Sequence, residues 1–125
     1  MIEVVKSIIQ TEHKYLILKR SSSSKFFPEL WDFPGGKINL GEEVKEAVIR
    51  EIAEETSLTI VPSKKLGDYH YTEHDTPIHF QIFSIASFNG EVKLSEEHSD
   101  FVWVSEKNLN KYELAPIVKL FFKLM

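Results

Sequence analysis

Gly36-Lys37-Ile38-Asn39-Leu40-Gly41-Glu42-Glu43-Val44-Lys45-Glu46-Ala47-Val48-Ile49-Arg50-Glu51-Ile52-Ala53-Glu54-Glu55-Thr56-Ser57-Leu58 decides the fold of this chain. From Glu42 to Ser57 it holds no proline or glycine and is dominated by helix formers, so the segment is expected to be helical. On a wheel of about 100° per residue, Val44, Ala47, Val48 and Ile52 form an apolar arc, and Glu43, Glu46, Arg50 and Glu54 lie mostly opposite. Glu51 and Glu55 break the division: four residues apart, they stack inside the apolar arc, with Glu54 at its edge. Carboxylates beside a core are costly unless paired, hydrogen-bonded or metal-bound, and three together repel one another and raise their own pKa values. A divalent cation relieves both problems, and hard oxygen donors suit Mg²⁺, with Mn²⁺ as the alternative. The competing explanation is an ordinary solvated helix with i,i+4 pairs such as Glu46 with Arg50 and Arg50 with Glu54.

Before the helix, Ile2 to Gln10 and Tyr15 to Lys19 are expected to be two antiparallel strands joined by the turn Thr11-Glu12-His13-Lys14. Ser21 to Lys25 is a surface loop, and Leu30 to Phe33 a short strand stopped by Pro34-Gly35-Gly36. After the helix comes a break at Val61-Pro62, then strands from Lys65 to Thr72 and Pro77 to Phe88, with a bulge or a doubly buried face near Phe83. Asn89-Gly90 signals a hairpin into Glu91-Val92-Lys93-Leu94. Phe101 to Val104 is a further strand after an acidic loop, Ser95 to Asp100, and a terminal helix from about Leu114 to Leu124 places Ile117, Leu120, Phe121 and Leu124 on one side. The order points to an α+β protein with a mixed, mostly antiparallel sheet between helices, in one domain spanning residues 1–125.

Composition narrows the function classes. An apolar fraction of 42% supports a core, and the lack of cysteine removes thiol nucleophiles, thiolate metal sites and disulfides, in keeping with a cytoplasmic protein. No run approaches the roughly 20 apolar residues that span a bilayer, and the N-terminus does not resemble a signal peptide. A net charge of -4 disfavours long nucleic acid, whereas a small polyanion is accommodated by a cation or a few placed basic residues.

Trp31-Asp32-Phe33-Pro34-Gly35-Gly36-Lys37, then Gly41-Glu42, then Arg50-Glu51-Ile52-Ala53-Glu54-Glu55 closely resembles the signature of the Nudix hydrolases. That signature is glycine, five residues, glutamate, seven residues, Arg-Glu, an aliphatic residue, any residue, Glu-Glu, any residue, glycine and an aliphatic residue. Here it runs over 23 residues from Gly36 to Leu58, with Ser57 at the usual last glycine. A residue other than glycine is costlier there if the position has positive φ, so the helix exit is expected to differ. Within the family the likeness is to MutT-type nucleoside triphosphate pyrophosphohydrolases, although Leu114 falls where bacterial MutT carries the asparagine that reads the base.

The resemblance implies an α/β/α sandwich and Mg²⁺-dependent cleavage of a nucleoside triphosphate to nucleoside monophosphate and pyrophosphate. Hydrolysis of ADP-ribose or another nucleoside diphosphate derivative, and a non-catalytic nucleotide-binding module, are the alternatives. It implies Glu51, Glu54 and Glu55 as catalytic metal ligands, joined by the Gly35 carbonyl and by Glu97 from the later acidic loop, with Glu96 the other acidic candidate there. Gly36, Glu42 and Arg50 are expected to support the site, and Arg20 and Lys37 to meet the substrate phosphates. His70, His74 and His79 are weaker zinc candidates, and Phe26, Phe27, Trp31, Tyr69, Tyr71, Phe80 and Phe83 include the candidates for stacking on a base. A monomer and a homodimer remain equally open.

Overall fold

The β-branched run that starts at Ile2 does not pair with the one that follows it. The chain bends at Ile9, giving β1 (Ile2–Ile8) and then a separate hairpin of β2 (Gln10–Thr11) and β3 (Lys14–Arg20). The computed structural model describes residues 1–124, and in it β1 and β3 belong to different sheets, joined at the bend by the Leu16 N–H donating to the Ile9 carbonyl at 3.0 Å. The remaining elements are β4 (Trp31–Asp32), β5 (Gly35–Lys37), α1 (Val44–Thr56), β6 (Thr59–Glu73), β7 (Thr76–Asn89), β8 (His98–Ser105), a 3-10 helix (Glu106–Lys111) and α2 (Pro116–Phe122).

One four-stranded sheet has the order β5-β1-β7-β6, with β1 parallel to β7 and the other pairings antiparallel. The other sheet joins β2, β3 and β4, with β8 pairing β3. Helix α1 buries Ala47, Val48 and Ile52 against Val5, Ile9, Leu16, Leu18 and Phe83 on one side of the strands. Helix α2 buries Ile117 and Val118 among Val4, Ile17, Phe33, Phe80 and Ile82 on the other. The strands are thus the middle layer between two helices, and β7, which sends Ile82 to one core and Phe83 to the other, is covered on both faces.

Several elements depart from the sequence expectations. The glycine turn does not end pairing: Gly35 to Lys37 forms β5 against β1, with Lys6 opposite Gly35. Pro62 sits inside β6, which crosses it with register shifts between Val61 and Gly67 opposite the Phe83 region; β6 is an edge strand, where a missing N–H is tolerated. The two-residue hairpin loops with positive φ at both central positions are Glu12-His13 (48° and 64°) and His74-Asp75 (49° and 61°), the backbone requirement of type I′ turns. Asn89-Gly90 opens no hairpin. Beyond it the chain runs past the end of α1, where the Lys93 N–H donates to the Thr56 carbonyl (2.9 Å) and the Ser95 N–H to the Glu55 carbonyl (3.3 Å), so these residues satisfy helix-terminal acceptors instead of pairing as a strand. Helix α2 begins after Ala115; Ile117 and Val118 are buried and Phe121 and Leu124 pack against the same core as expected, whereas Leu120 is 39% exposed.

Ser57 occupies the left-handed region at φ 66°, ψ 9°, and its N–H closes the helix on the Ala53 carbonyl at 3.0 Å. The exit therefore has the backbone that favours glycine, while Ser57 Oγ donates to the Lys93 carbonyl at 3.2 Å. Ser57→Gly is expected to raise stability by up to about 1 kcal/mol, the strain relieved exceeding the exposed hydrogen bond lost. A lower unfolding midpoint in urea for the variant contradicts this.

On the α1 side of the first sheet, His79 of β7 lies between Glu3 of β1 (Nδ1 to Oε1, 2.6 Å) and Asp68 of β6 (Nε2 to Oδ1, 2.8 Å), with His70 stacked on it at 4.7 Å between centroids. Neutral imidazole has one N–H, so only the protonated ring donates to both carboxylates. Burial alone pulls the His79 pKa down, but the hydrogen bonds and negative charges of Asp68 and Glu3 outweigh it, and the net shift is upward from 6.5. A pKa raised on folding contributes stability that is fully present below the unfolded value and is lost as pH rises through the folded one. The gap in thermal midpoint between wild type and His79→Gln should be widest below the ordinary histidine value of 6.5 and narrow as pH rises above it; a gap independent of pH refutes the assignment.

Candidate functional site

Two glycines determine where the helix carboxylates go. Gly35 has φ 144°, and a Cβ there would collide with the Val5 carbonyl, so its backbone lies directly against β1. A Cβ on Gly36 would meet the Glu51 carboxylate. The strand β5 thereby approaches α1 closely enough for the Gly35 N–H to donate to Glu55 Oε1 at 2.9 Å.

Glu55 is 2% exposed, and burial drives its pKa up to about 8 despite the nearby Lys6 charge and the Gly35 hydrogen bond. Glu51 is raised too, first by burial, with Arg50 opposing and Glu54 and Glu97 reinforcing the shift. Arg50 binds around this pair from the outer side. It donates to Glu42 (Nε to Oε2, 2.7 Å; Nη2 to Oε1, 2.9 Å), to Glu51 Oε1 (2.9 Å), to Glu54 (3.2 Å) and to the Lys37 carbonyl (3.0 Å). The hydrogen bonds from Arg50, then that from the Asn39 N–H, hold Glu42 down to about 2, so Glu42 serves the guanidinium as a fixed anion.

A cleft of about 290 Å³ opens on this arrangement. Its lining combines Glu51, Glu55, Glu97, Lys37, Gly35 and Gly36, together with Lys6, Arg20 and Asp32, with the apolar side chains Ile2, Val4, Phe26, Phe27, Ile78 and Phe80. Glu54 lies outside the lining, with 57% of its side chain exposed and held by Arg50. Glu97 is carried in by the loop before β8, which the Ser21 N–H fastens through the Glu97 carbonyl at 3.0 Å. Glu96 lines an adjoining cavity with Arg20, Ser21, Ser23 and Ser24. Arg20 is already engaged with protein, its Nε donating to the Phe26 carbonyl (2.8 Å) and Nη1 to Asp32 Oδ2 (3.4 Å).

Sequence reasoning passed over Lys6 and Asp32, a buried ion pair of 3.0 Å with side chains 3% and 2% exposed. The signal was present: strand alternation puts Lys6 on the same side as Val4 and Ile8, a charge in an apolar register. His98 is also buried, and among the described residues neither ring nitrogen has a hydrogen-bond partner; burial, then Lys6 and Arg20, push its pKa down to about 4, so the ring is neutral. Leu114 is buried beside Trp31 and does not line the cleft. Of the aromatic candidates, Phe26, Phe27 and Phe80 line it, whereas Phe83 belongs to the α1 core. Tyr69 and Tyr71 pack on Phe121 and Phe27.

Among the described residues no three His, Cys, Asp or Glu side chains converge as a ready-made metal cage. The donor set nevertheless fits a hard cation. Glu51 and Glu55 are desolvated carboxylates, the charge of Glu51 helps raise Glu55, each has one oxygen on a protein donor, and both line the cleft with Gly35. The glycines separate geometry from chemistry: Gly35→Ala should lose on the order of 3 kcal/mol or more, because rigid backbone blocks the methyl group, while Gly36→Ala should fold with a smaller loss and displace the Glu51 carboxylate. Equal thermal midpoints for the two variants contradict this.

A NUDIX domain model matches residues 3–125. The chain is 31% identical over 116 residues to the CTP pyrophosphohydrolase of Escherichia coli (strain K12), covering 93% of this chain and 84% of that protein. It is 32% identical over 122 residues to the nucleoside triphosphatase NudI of Escherichia coli O139:H28 (strain E24377A / ETEC), covering 89% and 86%. Among solved structures it is similar to the MutT protein from Methanosarcina mazei Go1, with a TM-score of 0.89, 36% identity, and 98% and 90% of the two chains covered. With its glycine turn set against the carboxylate-bearing face of α1, and with this extent of similarity, the chain belongs to the Nudix hydrolase family.

Proposed function

We propose that this cleft hydrolyses nucleoside triphosphates to nucleoside monophosphate and pyrophosphate, with Mg²⁺ as the cation. The observation that carries the reading is the single cleft whose lining combines apolar and aromatic side chains with buried carboxylates. A nucleobase suits the first, by stacking and shape, and a metal-neutralised polyphosphate suits the second. Similarity to a CTP pyrophosphohydrolase and to a nucleoside triphosphatase supports the same substrate class.

Glu51, Glu55 and the Gly35 carbonyl would hold the ion, with Glu97 from the facing loop and Glu54 from the rim completing its oxygen donors. When bound, it supplies Lewis-acid neutralisation of the phosphoryl oxygens. The chain's own groups do the rest. Lys37 neutralises a phosphate oxygen at the glycine turn. Arg50 keeps Glu51 aimed inward, and Glu97 accepts the proton of the attacking water. Arg20, whose Nε and Nη1 donate to Phe26 and Asp32, fixes the aromatic wall and keeps its remaining guanidinium N–H donors for a phosphate. The apolar walls around the base give no strong means of rejecting one base for another.

Incubation of a panel of nucleoside triphosphates and ADP-ribose with Mg²⁺, resolved by ³¹P NMR, tests this. Monophosphate with pyrophosphate from the triphosphates is expected; diphosphate with orthophosphate, or turnover of ADP-ribose alone, overturns it. Glu51→Gln and Glu55→Gln should each lower kcat by about 10²-fold or more, and Glu54→Gln by less, in keeping with its place outside the cleft lining.

A further inference from the structure

Lys6 is a cation enclosed in oxygen. Its Nζ donates to Asp32 Oδ2 (3.0 Å), the Phe33 carbonyl (3.2 Å) and the Gly35 carbonyl (3.4 Å), which matches its three protons to three acceptors. The ammonium has no donor left for a phosphate, yet the residue lines the cleft beside Glu51 and Glu55. A second cation, Arg20, shares the same Asp32 oxygen at 3.4 Å. Two positive charges against one carboxylate leave this ionic group with a net charge of about +1, and its ammonium sits on the Gly35 carbonyl oxygen.

We infer that Lys6 is a positioning residue acting through charge: it shares the Gly35 carbonyl with the divalent ion and keeps the bare site's hold on that ion weak, so that the ion is retained together with the polyphosphate. The inference rests on the metal-dependent reading above. Any cation on Gly35 O has that oxygen in common with the ammonium, and repulsion at such range in a partly desolvated site is strong. Lys6 also favours ionised Glu55, which works the other way, but a divalent charge feels the ammonium twice as strongly as a single carboxylate does. Repulsion therefore sets the sign. A bound triphosphate adds negative charge in the same cleft and offsets the ammonium. The carboxylates agree with a site that is incomplete alone, since Glu54 and one oxygen of Glu51 are held by Arg50 and, among the described residues, no three acidic groups converge.

A purely structural ion pair predicts something different: loss of Lys6 loosens the Gly35 turn, so metal binding weakens or stays as it is. Mn²⁺ binding, followed by the EPR signal of the free ion, separates the two without reference to turnover. Lys6→Met and Lys6→Gln should bind Mn²⁺ at least about tenfold more tightly than wild type in the absence of nucleotide, and Lys6→Arg, which keeps the charge, should stay near wild type. Wild type itself should gain at least about tenfold in Mn²⁺ affinity when a non-hydrolysable triphosphate analogue is added, over and above the Mn²⁺ that the analogue binds in a protein-free control. Lys6→Gln keeps an amide donor for Asp32 and is the variant to use if Lys6→Met fails to fold. Unchanged or weaker Mn²⁺ binding in a folded neutral variant overturns the inference; if neither variant folds, equal wild-type affinity with and without the analogue overturns it. Absence of Mn²⁺ binding by wild type under both conditions overturns the metal-dependent reading as well.

Discussion

The structure depends on a hydrogen bond between two places that resist each other. Glu55 is a carboxylate inside a packed helix face, and Gly35 is a backbone turn pressed against β1. Neither is stable alone: the carboxylate loses hydration, and the turn tolerates no side chain. Joined at 2.9 Å, they set the distance between α1 and the first sheet, and that distance defines one wall of the cleft.

Charge is layered outward from that contact. Glu55 is buried and raised, Glu51 is half-buried with one oxygen on Arg50, and Glu42 is a fully ionised anion whose task is to hold the guanidinium. Arg50 turns a cluster of like charges into a graded one, stabilising the outer carboxylates and leaving the inner ones to the cleft. Beside it Lys6, Asp32 and Arg20 form a second ionic group, which ties β1, the glycine turn and the Phe26 loop together. The cleft therefore brings a net negative group and a net positive one together, as phosphoanhydride hydrolysis requires of a site that must gather both a cation and a polyanion.

Local rules succeeded where one element carries its own reason. The helix from Val44 to Thr56 follows from composition and periodicity, and Glu51 and Glu55 were identifiable because they violate that periodicity. The rules failed where an element is defined by its partner. Gly35 to Lys37 is a strand because β1 lies beside it; Glu91 to Leu94 is not one because the end of α1 takes its N–H groups. The positive-φ loops Glu12-His13 and His74-Asp75 have no glycine, so register imposed them and not intrinsic preference.

The sequence by itself determined the helix, the α+β class, the family and the identity of the carboxylates, because each is written in residues near one another along the chain. Tertiary structure decided which carboxylates reach the cleft. Glu51 and Glu55 turn inward and Glu54 outward, since helix rotation is set by packing of Ala47, Val48 and Ile52. It also decided that Lys6 and Asp32, 26 residues apart, form a buried pair at the glycine turn, and that Arg20 is bound to protein before any substrate arrives. Hydrophobic periodicity reports a face, but a pairing between two faces exists only when both are folded.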